Sequence, residues 1–283
     1  MLGTLAGVAL LAACAAVAIG LGRHRWSRRT QHLRSALAAG RGPVMPAQVD
    51  LRELEGLPSP VQRYLRLVLS DGAPMVSQVQ VRHSGSMNLS AKAPQWKAFT
   101  SDQQIVTRRP GFLWNARVEL LPGVPVLVHD AYIGGAGTLR AALCGLVTVA
   151  NQHGGAELAK GELMRFLAEA VWYPTALLPS QGVRWDTVDA QCARATLSDA
   201  GVTVSLDFFF DHEGLVDSVR AHARGRTTGG RSVPTPWHGR FWRYQERGGM
   251  LLPLSGEVAW ELPAGAQPYW RGDIDAIVHG FTA

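Results

Sequence analysis

Cysteine is scarce. Cys14, Cys144 and Cys192 are the only three in 283 residues, too few and too scattered for a disulfide framework. Charge is also thin, at 18%, yet 47% of the residues are hydrophobic, which excludes a disordered or low-complexity chain. The motifs of the common catalytic classes are missing: there is no GxSxG, no HExxH, no P-loop and no CxxC. Acidic residues are absent from positions 1–41, where six arginines stand instead (Arg23, Arg25, Arg28, Arg29, Arg34 and Arg41). The chain holds 28 Lys+Arg against 22 Asp+Glu, so setting those six aside leaves a body with 22 basic and 22 acidic groups. That neutral body has no basic stripe to follow phosphates, which argues against a nucleic-acid partner.

What is present begins at the N-terminus. Leu2 to Gly22 is a run of 21 residues without a charge. At about 1.5 Å per residue such a helix reaches roughly the 30 Å of a bilayer core, so residues 1–22 are expected to form a transmembrane helix. A cleaved signal peptide would want positive charge ahead of the run. Leu11-Ala12-Ala13-Cys14 resembles a lipobox, but the apolar stretch continues for eight residues past the cysteine. Arg23, Arg25, Arg28 and Arg29 follow directly, and cationic flanks stay on the cytoplasmic side. The expectation is a single-pass cell-membrane protein with its main domain in the cytoplasm, touching membrane lipid through this helix and its basic flank. Trp26, among the arginines, reads as an indole at the headgroup level. Residues 23–50 then form a basic juxtamembrane segment and linker, broken by Pro43 and Pro46.

Residues 51–283 read as a β-rich domain. One helix is expected after Ser59-Pro60, where Val61, Tyr64, Leu65, Val68 and Leu69 recur at helical spacing. From Met75 the period changes to two. Strands are expected at 76–90, 96–108, 112–121, 124–133 and 138–150. A helix at about 156–173 interrupts them, and they resume at 183–189, 191–198, 202–210, 215–224, 238–247, 250–262 and 269–281. Short turns such as Asp199-Ala-Gly201 and Arg247-Gly-Gly249 imply sequential hairpins. Twelve such strands cannot lie flat. The fold class is therefore mainly β (β-rich α+β), a curled antiparallel sheet or half-barrel with one or two packing helices.

Chemistry is harder to place. Glu162 and Glu169 share one face of the mid-chain helix with Arg165 between them, the ordinary spacing of surface ion pairs. The nine histidines show no ligand spacing, so neither a metal nor a cofactor is expected. Tryptophan is the conspicuous abundance, with nine residues against eight Phe and five Tyr. Indoles fill cores, and they also line pockets for apolar or amphipathic molecules. Trp114, Tyr132, Trp172, Trp185, Trp237, Trp242, Trp260 and Trp270 are the candidate lining of a cavity in the curved sheet.

Several stretches carry a family resemblance: Leu57-Pro-Ser-Pro60 with Tyr64-Leu65, Pro110-Gly-Phe-Leu-Trp114, Gly161-Glu-Leu-Met-Arg165, Trp172-Tyr-Pro174, Pro236-Trp237 and Tyr269-Trp270-Arg271-Gly272. Across residues 57–280 the chain resembles a bacterial family of membrane-anchored domains with no assigned function. That family supplies no catalytic residues to carry over. The Phe208-Phe-Phe-Asp211-His-Glu-Gly214 hairpin and the strand-rich outline are also similar, at the level of fold, to bacterial lipoprotein-sorting and lipoprotein-carrier half-barrels. Such carriers work outside the inner membrane, whereas the arginines place this domain inside.

Three functions follow as expectations. The first is a membrane-anchored protein binding a lipid-like or apolar ligand in a curved β-sheet cavity. The second is a hydrolase whose carboxylates and histidines assemble in space, with Glu162, Glu169, His129 and Asp130 as the residues to replace first. The third is a structural or assembly partner of another membrane protein.

Overall fold

The computed structural model describes residues 2–90 and 93–281; within that range the side chains of residues 2, 3, 5, 6, 8, 9, 11, 12 and 15 lie outside the description. The strands form one antiparallel sheet. Its first half comprises β1 (Val76–Asn88), β2 (Trp96–Val106), β3 (Gly111–Leu121), β4 (Val124–Ile133), β5 (Ala136–Leu143) and β6 (Val147–His153). The second comprises β7 (Arg184–Thr187), β8 (Cys192–Asp199), β9 (Val202–Phe210), β10 (Val216–Thr228), β11 (Arg231–Arg247), β12 (Met250–Leu262) and β13 (Gly265–Phe281). The order is β6-β5-β4-β3-β2-β1-β13-β12-β11-β10-β9-β8-β7, so neighbours in sequence pair except β6 and β7, which form the two edges, and at the centre the first strand meets the last.

A twisted sheet this wide curls, and contacts between its distant parts show that it does. Tyr132 Oη donates to Asp199 across 2.9 Å, and a Cβ placed on Gly135 would stand 2.5 Å from that of Ala200. The β4–β5 turn therefore touches the β8–β9 turn. Helix α3 (Ala156–Glu169) crosses the concave face between the two halves, packing on β4 and β5 at one side and on β9 and β10 at the other. Gly137 in β5 permits the close approach: a Cβ there would lie 2.8–3.0 Å from Leu158. The expected helix of 156–173 ends at Glu169, and 3-10 turns at Ala170–Trp172, Pro174–Leu177 and Pro179–Gln181 follow, because two prolines deny the chain its helical amides. Helix α2 (Ser59–Val68) begins at the Ser59-Pro60 signal and buries Val61, Tyr64, Leu65 and Val68 against the main core.

Two strand expectations need correction. The run 138–150 divides into β5 and β6 because Cys144 and Gly145 take positive φ (+53° and +74°) and make a hairpin turn. Residues 225–237, left outside the expected strands, instead extend β10 and β11 to a turn at Gly229-Gly230. A register shift between Ala221 and Arg224 falls opposite Pro236 and accommodates it, as bulges do.

Helix α1 (Leu2–Gly40) is continuous over 39 residues. Its second half lies on the outer, convex face of the sheet, along β2, β3 and β4. Leu37 packs with Val106, Leu113 and Ala131, and Gly22 sits where a Cβ would meet Cys144 O and Leu146 at 2.8 Å. Trp26 does not project outward among the arginines but faces the sheet. It is buried, stacks on His129 with centroids 3.9 Å apart, and donates from Nε1 to Asn115 at 3.1 Å. Thr30 Oγ1 then meets His129 Nε2 at 2.8 Å. Positions 22, 26, 30, 33 and 37 make one helical stripe facing the sheet, which leaves Arg23, Arg25, Arg28 and Arg29 exposed and Arg34 half-buried. Much of the 1–22 run read as a membrane span has its side chains outside the description. Among the described residues no helix is long and apolar enough to cross a membrane.

Candidate functional site

Period-two alternation sends one set of side chains to the concave face. From β3 these are Phe112, Trp114, Ala116 and Val118, while Leu113 and Asn115 face α1. Between that face and α3 lies a cavity of about 850 Å³. One wall is aromatic, formed by Trp114, Trp172, Trp237, Phe241, Trp260, Tyr269 and Trp270 with Met87. Consecutive residues Tyr269 and Trp270 both reach it because the β12–β13 register shifts between Val258 and Ala259, leaving Tyr269 as the extra residue of a bulge. The wall is braced: Trp237 Nε1 donates to Tyr269 Oη at 2.9 Å, and Trp260 stacks on Tyr269 at 5.7 Å.

The other wall is charged. Arg165 of α3 places Nη1 2.5 Å from Asp130 Oδ2 and Nε 2.7 Å from Glu169 Oε1, and its guanidinium lies over the rings of Phe112 and Trp114. Gln103 Nε2 donates to the second Glu169 oxygen at 2.5 Å. Glu162, one turn earlier, is 5% exposed. Burial pushes its carboxyl well above the usual carboxylate range; the charge of Asp130 adds to this, while Arg224 and Arg165 oppose it. The shift favours the neutral acid, with Asp130 beside it as the acceptor. Arg224 stacks over Trp237 at 4.9 Å. His83, buried beside Trp172, falls to about 3 by desolvation and the nearby Arg165, and so stays neutral. The indole Nε1 atoms of Trp114 and Trp172 are buried without a hydrogen-bond partner among the described residues.

Five of the eight residues expected to line a cavity do so: Trp114, Trp172, Trp237, Trp260 and Trp270. Three do not. Tyr132 is fully buried and tied to Asp199; Trp185 is buried with Nε1 on Leu177 O at 2.9 Å; Trp242 is 44% exposed, since alternation on β11 turns it outward from Phe241. The carboxylates also differ from expectation. Glu162, Arg165 and Glu169 are not a solvated surface stripe but face the cavity together with Asp130. His129 belongs to the opposite face, buried under Trp26, where desolvation and then Arg29, Arg140 and Arg34 lower it to about 3. Arg224, Phe241 and Tyr269 were missed. Phe241 was legible as the inward partner of Trp237 at i+4 in a strand, whereas Tyr269 depended on a bulge with no sequence mark.

Among the described residues no group of three or more His, Cys, Asp or Glu side chains is arranged to hold a metal ion. A second hollow of about 580 Å³ lies between residues 46–52 and 71–74, but its Asp50–Arg52 pair is exposed and already satisfied.

The model of a family of unknown function (DUF6920) matches residues 55–279, and the chain belongs to that family. No curated protein matches its sequence. Among solved structures, a LolA-superfamily protein from Nitrosomonas europaea is similar with a TM-score of 0.41 and 9% identity, over 80% of this chain and 94% of that one. A candidate outer-membrane lipoprotein-sorting protein domain from Vibrio parahaemolyticus gives 0.40 and 10% identity, over 72% and 85%. A DUF1329-family protein from Desulfovibrio piger gives 0.40 and 12% identity, over 72% and 86%.

Proposed function

We propose that this member of the DUF6920 family binds an amphipathic, lipid-like molecule in its concave cavity, while the apolar start of α1 holds it at a membrane. The observation that carries this reading is the cavity itself. Its volume of about 850 Å³ suits a ligand of several hundred daltons, and its two walls differ sharply in polarity. Hydrocarbon would lie along the indoles of Trp237, Trp260 and Trp270. The polar end would meet the unpartnered N–H of Trp114 and Trp172, the protonated Glu162 and the cation of Arg224, where a buried donor left unpaired costs about 1–3 kcal/mol. Uncharged residues 2–22 followed by Arg23, Arg25, Arg28 and Arg29 support a single-pass anchor with the domain on the cytoplasmic side.

The test is to purify the full chain from membranes, extract it with organic solvent and identify retained lipid by mass spectrometry, alongside tryptophan emission during titration with an amphiphile. Retained lipid and a shifted emission are expected; absence of both refutes the ligand. A C-terminal reporter active only outside the cytoplasm refutes the orientation.

One observation favours a second reading, hydrolysis. Glu162 favours its neutral acid beside Asp130 inside a cavity, which is an acid with a carboxylate close at hand. Turnover of an ester or glycoside panel that disappears in Glu162→Gln would establish it, and no turnover by the intact chain would remove it.

A further inference from the structure

We infer that the rim of the half-barrel carrying the β3–β4 and β5–β6 turns is a docking surface for a phospholipid bilayer. This rests on the anchored reading of α1 above. Because neighbouring strands are antiparallel, the turns after β1, β3 and β5 lie at one end of the first half of the sheet. Leu121, Leu146, Val147 and Val149 stand at that end on adjacent hairpins, 63%, 41%, 60% and 59% exposed, with Leu89 at the end of β1. Elsewhere on the sheet exposed apolar residues are scattered singly, which needs no explanation; four on neighbouring turns is a patch.

The course of α1 says what covers it. The helix climbs the outer face from Leu37, against Leu113 and Ala131, past Trp26 at Asn115, to Gly22 at the β5–β6 turn. Its remaining residues leave the sheet there. Twenty residues at about 1.5 Å each carry it some 30 Å beyond the rim, the depth of a bilayer core. A membrane entered by that segment begins at the level of Leu146. Arg23, Arg25, Arg28 and Arg29 are exposed on the helix at the same level, where anionic headgroups would meet them.

The test uses the full chain in vesicles of phosphatidylcholine and phosphatidylglycerol, compared with Leu121→Asp/Val147→Asp/Val149→Asp by amide hydrogen exchange. Turns 120–124 and 143–149 are expected to exchange at least about fivefold more slowly in the wild type, with turns 107–110 and 247–250 at the opposite end unchanged. Equal exchange of the rim turns while both chains still float with vesicles at alkaline pH overturns docking and leaves the anchor standing. Failure of the wild type to float overturns the anchor and docking together. If the opposite turns show the triple variant to be unfolded, Leu121→Ser/Val147→Thr carries the same comparison.

Discussion

Replacing Arg165 with methionine should be the most damaging single change on the charged wall. The guanidinium is 16% exposed and contacts carboxylates that are 14% and 12% exposed, at 2.5 Å from Asp130 and 2.7 Å from Glu169. Methionine keeps an unbranched stem and a polarizable atom over Phe112 and Trp114, so little packing is lost. What is lost is the counter-charge for two buried carboxylates, and removing one partner of a buried pair costs about 3–5 kcal/mol. Even a loss of about 3 kcal/mol lowers the melting temperature of a domain this size by roughly 6–12 °C. Urea denaturation followed by tryptophan emission is the assay, since Trp114 lies under the guanidinium. Adding Asp130→Asn and Glu169→Gln to the Arg165→Met chain removes the stranded charges and should restore more than half of the loss. The reasoning is refuted if Arg165→Met alone costs under about 1 kcal/mol, the value of an exposed pair, or if the triple variant is no more stable than the single.

Three further outcomes follow from packing and charge. Trp26→Ala should cost about 3–5 kcal/mol, because it opens a cavity between α1 and His129; an unchanged denaturation midpoint would return Trp26 to the headgroup position that the sequence suggested. Gly137→Val should destabilise by about 1–3 kcal/mol or more, since its Cβ would lie 2.8 Å from the Leu158 side chain, and it should alter the emission response to amphiphiles as α3 is pushed from β5; a fully stable variant with unaltered response contradicts that contact. Glu162→Gln should stabilise the fold, and more so as pH rises. An unfolded glutamate ionises near about 4.3, whereas burial and Asp130 keep the folded one protonated, so the wild type loses stability as pH climbs above that value and the amide does not. Urea midpoints at about pH 5 and about pH 8 decide it, a gap that narrows with pH being the adverse result.

The sheet was readable because alternation is a local signal. Val202, Val204, Leu206 and Phe208 point inward and their neighbours outward whatever the rest of the chain does, and turn glycines mark where each strand ends. The misreadings came where a single residue overrode the period. Cys144 took a conformation usually left to glycine, and Pro236 sat in a strand because it falls where a bulge interrupts the ladder. Trp26 was misplaced for another reason. Its sequence neighbours are arginines, but its helical neighbours at i−4 and i+4 are Gly22 and Thr30, two small residues that let the helix lie close to β3 and β4. Read at helical spacing, the stripe was visible; read residue by residue, the charge concealed it.

The site shows why a charge pattern on one element is a poor guide to solvent. Glu162, Arg165 and Glu169 have the spacing of an exposed ion-pair ladder, and α3 would present them to water if only one of its faces were covered. Both faces are in use. Phe166, Leu167 and Leu163 go into the core, and the charged stripe meets β2 and β4, which supply Gln103 and Asp130 from positions about sixty and thirty residues earlier. A helix threaded through a curled sheet has no outside, so its polar face becomes the polar wall of whatever space remains. The tryptophans on the far strands then supply the apolar wall for the converse reason: they project from the concave side of a sheet too wide for α3 to fill. Five indoles on one side and Arg165 with Asp130, Glu162 and Glu169 on the other thus follow from topology, and the same topology sets the test that matters most. A ligand that engages only the indoles should bind Arg224→Met as well as wild type, while one with a polar end should not.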